Sequence, residues 1–440
     1  DYVNVLEMLK KGGIPLRKED RTEKHPLIIA GGPCASSNPL PMSKFIDLFV
    51  VGEAEVILDD LLDIYLELDD PKDNLDVFLE IDGVYLPDHP VKMVTVPDLM
   101  DACHPIRQIV PETDEKEYIP AFGHAFLLEV SRGCTRGCRF CMAGCIYRPR
   151  REMPIKELLN IAEKGRNATN LNKIALIGAA VSDHSKMEEL CQKLYDRDFQ
   201  VTTPSLRIES VTDNLLEILK ISGLKTITIA PESIWKIRKT ANKSITDDMI
   251  NDTIKIAFKH DLNVKLYFML GLPLEDQNDI ECLGQYIKEL IKMGKRKNQI
   301  RVSVNPFIPK PHTPFQWEGF NLDELKFKIK YINSQLNLRS FKVENPKNAL
   351  IQYILSMGGF ELGDLLERSL NGKVPMNDWL KLSHKWDIND ELPWKNIDVG
   401  IKDEFLKKEY KKAMQGNLTH CCEEFGCYNC GACNNNIKSS

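Results

Sequence analysis

Residues 131–142 read SRGCTRGCRFCM and close an apolar run, HAFLLEV, that begins at residue 124. Within them Cys134, Cys138 and Cys141 are separated by three and then two residues. Thiolates at this spacing can wrap one corner of an iron-sulfur cube and leave its fourth iron without a protein ligand. An open iron can hold a small molecule. Gly133 and Gly137 let the backbone turn tightly enough to aim the sulfurs inward, and Arg132, Arg136 and Arg139 bring charge that offsets thiolates and cluster. The alternative is a zinc knuckle, which needs a fourth ligand nearby; Cys145 could supply one.

The rest of the chain bounds that reading. Its 440 residues, 43% hydrophobic, suffice for two or three packed domains, and a net charge of −6 with pI near 5.9 argues against a wholesale nucleic-acid binder. A local basic patch, RPRR at 148–151, reads first as cluster or cofactor surroundings. No apolar run is long enough to span a bilayer and no leader precedes the first helix, so a cytoplasmic location without a membrane partner is expected. The 13 cysteines fall largely into two tight groups, which points to metal in a reducing compartment rather than to disulfides. The chain starts at Asp1 inside a helical pattern, which suggests that an upstream portion is missing.

Upstream of the cysteines, YVNVLEMLKK reads as a helix stopped by Gly12 and Gly13. PLIIAGGPCASSNP reads as a strand at 27–30 opening into a small-residue loop where Gly31, Gly32 and Pro33 permit close approach of a large ligand. A short helix near 41–46, a strand at 47–53 ending in Gly52 and Glu53, and a long helix through AEVILDDLLDIYLEL follow. This is half of an open parallel α/β sheet, in which both glycine loops share one crevice beyond the strand ends; alternatively the glycines only make tight turns. Residues 72–122 are rich in Pro, Asp and short β-like runs that carry no readable chemistry; the first domain is placed at 1–100 and a connector at 101–122.

Downstream, apolar strands at 125–130, 173–178, 199–203, 225–230, 264–269 and 301–305 alternate with helical patterns. Six βα units over 123–320 make a partial barrel whose functional loops lie at the carboxyl ends, as in the complete eight-stranded barrel. Those ends present Gly178 and Ala179, then Ser205 and Arg207, then Glu232, then Gly271, Leu272 and Pro273. Glu232 could bind an amino or ribose group or cap the next helix. After the sixth strand NPFIPKPHTPFQW, residues 305–317, is a rigid extended lining with Lys310, His312 and Gln316 as candidate site residues. His312 could accept a proton or be a hydrogen-bonded structural residue. Residues 321–440 form a helical region with Trp379, Trp386 and Trp394 as packing anchors. Its tail, HCCEEFGCYNCGACNN, spaces Cys422, Cys427, Cys430 and Cys433 as a metal site, with Cys421 as an alternative first ligand. Zinc, a single iron or a cluster would suit; the short loop favours one ion, which staples the tail or lets it reach the active site.

The CxxxCxxC directly after HAFLLEVSRG, with Phe140 before the third cysteine, resembles the signature of radical S-adenosylmethionine (SAM) enzymes. The resemblance implies that the three cysteines ligate a [4Fe-4S] cluster whose open iron chelates SAM, and that one electron cleaves SAM to a 5′-deoxyadenosyl radical. It implies that the Gly178-Ala179 segment receives the methionine amino group, although the usual acidic residue is absent, and that Gly271, Leu272 and Pro273 pack against adenine. GGP after one strand and GE after the next resemble the back half of the cobalamin-binding, Rossmann-like domain fused to some of these enzymes, and the 305–317 motif is similar to one found there. No DxHxxG is present to give cobalt a histidine, as that fused family leads one to expect. The implied activity is C-methylation of an unactivated carbon, and within the family the chain is most similar to the glutamine C-methyltransferases acting on methyl-coenzyme M reductase. A protein or peptide substrate and an electron donor follow. Other readings are a cobalamin-dependent rearrangement or cyclisation, an RNA methylthiotransferase, or a metal-stabilised tRNA-interaction module without turnover. The methylthiotransferases would need three more upstream cysteines, where only Cys34 and Cys103 stand, and the intact CxxxCxxC weighs against a module without turnover.

Overall fold

The computed structural model describes residues 1–113, 115–336 and 341–433. The chain opens with α1 (Tyr2–Lys11), then β1 (Ile29–Ala30), α2 (Pro33–Ser37), β2 (Leu48–Val50), α3 (Leu58–Glu67) and β3 (Val84–Tyr85). β1 and β2 pair in parallel as expected, but β3 pairs antiparallel to β2, so the sheet is mixed. The Asp82-Gly83 turn reverses the chain, with Gly83 at φ +88°. In place of the helix expected near 41–46 there is one 3₁₀ turn, Leu40–Met42, because Pro39 and Pro41 cannot donate to a helical ladder. β4 (Val91–Lys92) continues beside this sheet, with Val94 bridging to Gly52.

The barrel follows: β5 (Phe126–Arg132), α4 (Ala143–Ile146), β6 (Arg151–Glu152), α5 (Ile155–Thr169), β7 (Lys173–Gly178), α6 (Met187–Tyr195), β8 (Gln200–Thr202), α7 (Asp213–Ile221), β9 (Thr226–Glu232), α8 (Trp235–Thr240), α9 (Asp247–Lys259), β10 (Asn263–Leu270), α10 (Gln277–Lys292) and β11 (Ile300–Pro306). All six anticipated strands form, each within two residues of its expected ends. Their order is β6-β5-β7-β8 in one sheet and, in the other, β12-β11-β10-β9, where β12 (Phe341–Val343) is an additional parallel strand. The sheets meet where Leu206 donates its amide to the Thr228 carbonyl at 2.9 Å. Each strand alternates. Leu128, Val130, Ile174, Ile229, Leu266 and Val302 are buried in one continuous core with the surrounding helices, while the intervening residues face the barrel interior.

The helical region is α11 (Leu322–Leu336), α12 (Pro346–Met357), α13 (Leu362–Leu370), α14 (Met376–Lys381), β13 (Ile397–Asp398), α15 (Asp403–Met414) and α16 (Cys422–Phe425). It does not pack as a separate body. Leu350, Tyr353, Leu362, Leu366, Trp379 and Trp394 share one core with Leu6, Phe45, Phe49 and Tyr85 of the first sheet, and β13 pairs with β4. The amino-terminal sheet is therefore gripped between the barrel and the last helices. Among the described residues no helix is long and apolar enough to cross a membrane.

Candidate active site

The cysteine loop leaves β5 through two glycines that no other residue could replace without movement. Gly133 has φ +82°, and a Cβ there would lie 2.1 Å from the Tyr147 carbonyl oxygen; Gly137 has φ +75°. The loop closes where Cys141 donates its amide to the Cys138 carbonyl at 3.1 Å. Burial pushes the Cys141 thiol up to about 12, and charge repulsion from Cys138 and Cys134 adds to it. Burial and Cys138 likewise raise Cys134. None of the thiols forms a disulfide, and among the described residues no three His, Cys, Asp or Glu side chains converge on a single-ion coordination sphere. Three thiols on one short loop, with a position left for a non-protein ligand, suit a cluster with one open iron. Cys145 is buried beyond them, its thiol pushed up to about 12 by burial.

The three arginines of the loop do not serve as expected. Their charge is spent on carboxylates: Arg132 on Glu53, Glu55 and Glu129, Arg136 on Asp183 and Glu424, and fully buried Arg139 on Glu409. The cations that face the cysteines are Arg148 and Arg207. Asp183 was not legible beforehand. Burial alone would raise its carboxyl, yet Arg136, donating at 2.9 Å, with Arg207 and Ser210 holds it below the usual range.

Ala179, Ser205 and Arg207 come together around a cavity of about 420 Å³ inside the barrel, with Glu209, Thr228, Lys243 and Tyr267. Gly178 at its edge has a close neighbour, the Ser131 carbonyl, 2.7 Å from where a Cβ would be. Ser131 Oγ, Arg207 Nε and Glu209 Oε2 are buried without hydrogen-bond partners, with Arg207 Nε 3.4 Å from the Asp183 carboxylate. Cationic Arg207 and Lys243, the Glu209 carboxylate and the Ser205, Thr228 and Tyr267 hydroxyls around one cavity fit a zwitterionic, hydroxyl-bearing ligand such as SAM. Glu232, at φ +68°, is held by Lys243 at 2.7 Å. Gly271, Leu272 and Pro273 line a different and larger cleft, about 910 Å³, between the barrel and α11. Leu272 nevertheless belongs to the apolar cluster that includes Phe140, Phe307 and Phe315.

At the amino-terminal sheet, Gly31, Gly32 and Pro33 are exposed, and a Cβ on Gly32 would meet nothing within 4 Å. This loop is open to a ligand. The second loop is not. A Cβ on Gly52 would lie 2.2 Å from the Val94 carbonyl oxygen, so this glycine answers to its own chain, and both Glu53 oxygens are taken by Arg151 at 2.8 and 2.9 Å. Lys310 and His312 lie beside α2. Lys310 donates to Ser356 Oγ at 2.9 Å, and burial pushes its amine down to about 8 despite the nearby Cys34 and Glu344. His312 is buried at φ +57°, its Nε2 3.0 Å from the Ser37 carbonyl, which can only accept, so the proton is on Nε2. Burial holds His312 neutral, pushed down to about 4.

The tail folds over the cysteine loop. Glu423 pairs with Arg150 and Glu424 with Arg136, Arg148 donates to Tyr428 Oη at 3.2 Å, and Cys421 Sγ lies 3.6 Å from Thr135 Oγ1. Burial raises the Cys433 thiol, and charge from Cys430, Cys422 and Cys427 raises it further.

Comparison with known proteins agrees with this geometry. Residues 1–87 match the family described as radical SAM proteins, N-terminal, and residues 128–287 match the radical SAM superfamily. An uncharacterized protein of Methanocaldococcus jannaschii is 36% identical over 408 residues, 90% of this chain and 85% of that one. The chain belongs to the radical SAM superfamily. An uncharacterized methyltransferase of Pyrococcus horikoshii is 22% identical over 270 residues, 60% of this radical SAM chain and 58% of that protein. Among solved structures, the radical SAM methyltransferase TsrM from Kitasatospora setae, with cobalamin and a [4Fe-4S] cluster bound, superposes with a TM-score of 0.51 at 12% identity. The superposition covers 66% of this chain and 59% of TsrM, and at that identity it is a likeness of fold.

Proposed function

We propose that this radical SAM enzyme is a cobalamin-dependent C-methyltransferase acting on a protein side chain, with a glutamine of methyl-coenzyme M reductase as its target. One observation carries the reading: α2, which follows the open Gly31-Gly32 loop, packs against α4, which follows the cysteine loop. The carboxyl end of the amino-terminal sheet thus abuts the place where an iron-sulfur cluster would be held. Cys134, Cys138 and Cys141 would hold the cluster, and Ser131, Gly178, Ala179, Ser205, Arg207 and Glu209 would line the SAM site. Gly31, Gly32 and Pro33 would receive the corrin. When bound, these groups supply a 5′-deoxyadenosyl radical and a transferable methyl group, given an external one-electron donor.

The chain's own residues position and exclude. His312, donating to Ser37, fixes α2 against the 305–317 segment, which is a positioning role. Lys310, with an amine that titrates near neutrality, is the candidate to give or take a proton at the crevice. Cys422, Cys427, Cys430 and Cys433 are proposed to take iron or zinc, stapling the tail over the cysteine loop. To test the function, reconstituted protein is incubated anaerobically with hydroxocobalamin, a strong reductant, methyl-deuterated SAM and a methyl-coenzyme M reductase peptide containing the glutamine. Transfer of the labelled methyl to a peptide carbon supports the reading. SAM cleavage without any corrinoid absorbance in the protein contradicts it.

A further inference from the structure

The interior of a closed eight-stranded barrel is filled with bulky apolar side chains. In this partial barrel the inward faces of β10 and β11 are largely polar. On β10 the inward residues are Lys265, Tyr267 and Met269, and in register beside them on β11 stand Arg301, Ser303 and Asn305; Thr228 of β9 flanks Lys265 on its other side. Their outward neighbours, Val264, Leu266, Phe268, Val302 and Val304, fill the core against the helices. Lys265 and Arg301 therefore project side by side from the same face of the sheet. Like charges directly across neighbouring strands repel. Among the described residues neither pairs with a carboxylate: Arg301 is exposed to solvent, and the Lys265 ammonium donates to the Tyr267 hydroxyl and lies 4.5 Å from its ring centroid. Arg296, outside the barrel, is by contrast neutralised by Asp261 at 2.9 Å.

Thr228 and Tyr267 also line the cavity of about 420 Å³ that holds Ala179, Ser205 and Arg207. Lys265 reaches this space through the Tyr267 hydroxyl, and Arg301 stands exposed beside it near the amino end of β11. Lys265 is five residues from the end of β10 at Leu270, which at about 3.3 Å per residue places the pair about 16 Å from the carboxyl mouth. A ligand of the mouth, such as SAM, does not account for charges so deep.

We propose that Lys265 and Arg301 form an oxyanion-recognition point in the barrel interior that fixes the far end of the substrate, so that the substrate carries a carboxylate or phosphate beyond its reacting carbon. Thr228 and the Tyr267 hydroxyl complete the point with uncharged contacts. This placement rests on the barrel interior being the substrate's route in the reaction proposed above, but its test needs neither corrinoid nor turnover.

Reconstituted, SAM-saturated protein is titrated calorimetrically with inorganic phosphate and, separately, with glutarate. Saturable binding of at least one is expected, and which one distinguishes a phosphorylated from a carboxylate-bearing substrate. Losing one charge-assisted contact is expected to weaken binding about tenfold, so Lys265→Gln and Arg301→Gln each show that loss while Lys265→Arg and Arg296→Gln bind as wild type. Affinity also falls as salt rises. Binding unchanged in both Gln variants, or no saturable binding of either probe by protein that retains SAM, overturns the proposal. Absent methyl transfer with intact, variant-sensitive anion binding would refute only the methyltransferase reading.

Discussion

Replacing Glu53 by Gln tests whether the amino-terminal sheet is locked to the barrel by charge. Glu53 accepts two hydrogen bonds from Arg151, at 2.8 and 2.9 Å, and one from the Val96 amide at 2.8 Å, with Arg132 at 3.2 Å. Arg132 keeps Glu55 and Glu129 when Glu53 is neutralised. Arg151 keeps only the Val96 carbonyl. Its side chain is just 8% exposed, so the substitution strands a buried guanidinium, at about 3–5 kcal/mol. Removing both partners in Glu53→Gln/Arg151→Met relieves the stranded charge, and the double variant is expected within about 1–2 kcal/mol of wild type. Global unfolding of so large a chain is not two-state, so the suitable readout is hydrogen exchange of the β2 segment, which reports local opening free energy. The reasoning is refuted if Glu53→Gln alters that opening by less than about 1 kcal/mol, or if the double variant is no better than either single one.

Three further outcomes are expected. Gly133→Ala forces a Cβ to 2.1 Å from the Tyr147 carbonyl at φ +82°, so the SAM-responsive cluster signal after reconstitution is lost while the amino-terminal sheet stays folded by hydrogen exchange. Because burial lowers His312 from 6.5 to about 4, the unfolded chain takes up a proton in that window that the folded chain refuses. Stability is then lost as pH falls from 6.5 towards 4, by on the order of 3 kcal/mol, and hydrogen exchange of the α2 and 305–317 segments in His312→Gln shows that slope removed. Lys310, lowered by burial from 10.5 to about 8, acts with the same sign at higher pH: below pH 8 the folded chain carries a buried charge, and stability rises between pH 8 and 10.5. Lys310→Met is accordingly more stable than wild type at pH 7, by on the order of 2–3 kcal/mol, with the difference vanishing by pH 10.5.

The cysteine loop was legible because its ligand spacing is local: Gly133, Cys134, Gly137, Cys138 and Cys141 need no distant partner to declare their chemistry. The six strands were legible from length and β-branched content, and the carboxyl-end rule brought Ala179, Ser205 and Arg207 to one cavity. What failed was pairing across distance. Nothing in GE at 52–53 signals that Glu53 answers Arg151, 98 residues on, or that Gly52 makes room for Val94. The loop arginines carried the right charge, but their partners Asp183, Glu409 and Glu424 come from remote elements. β6 and β12 are two- and three-residue strands that exist only because a longer neighbour offers an edge. One signal was present and overlooked. In NVKLYFML and IRVSVNP every second residue is polar, polarisable or charged, an alternation that already assigns Lys265, Tyr267, Arg301, Ser303 and Asn305 to a wet interior.

An iron-sulfur cluster with one open iron is the premise of everything else, and electron paramagnetic resonance of the reduced protein addresses it directly. Anaerobically reconstituted protein, reduced by one electron, is expected to give a cluster signal whose g values move when SAM is added, and to lose that response in Cys134→Ala, Cys138→Ala and Cys141→Ala but not in Cys433→Ala. A cluster signal indifferent to SAM, or a SAM response that survives loss of those three thiols, would contradict the assignment of the 131–142 loop.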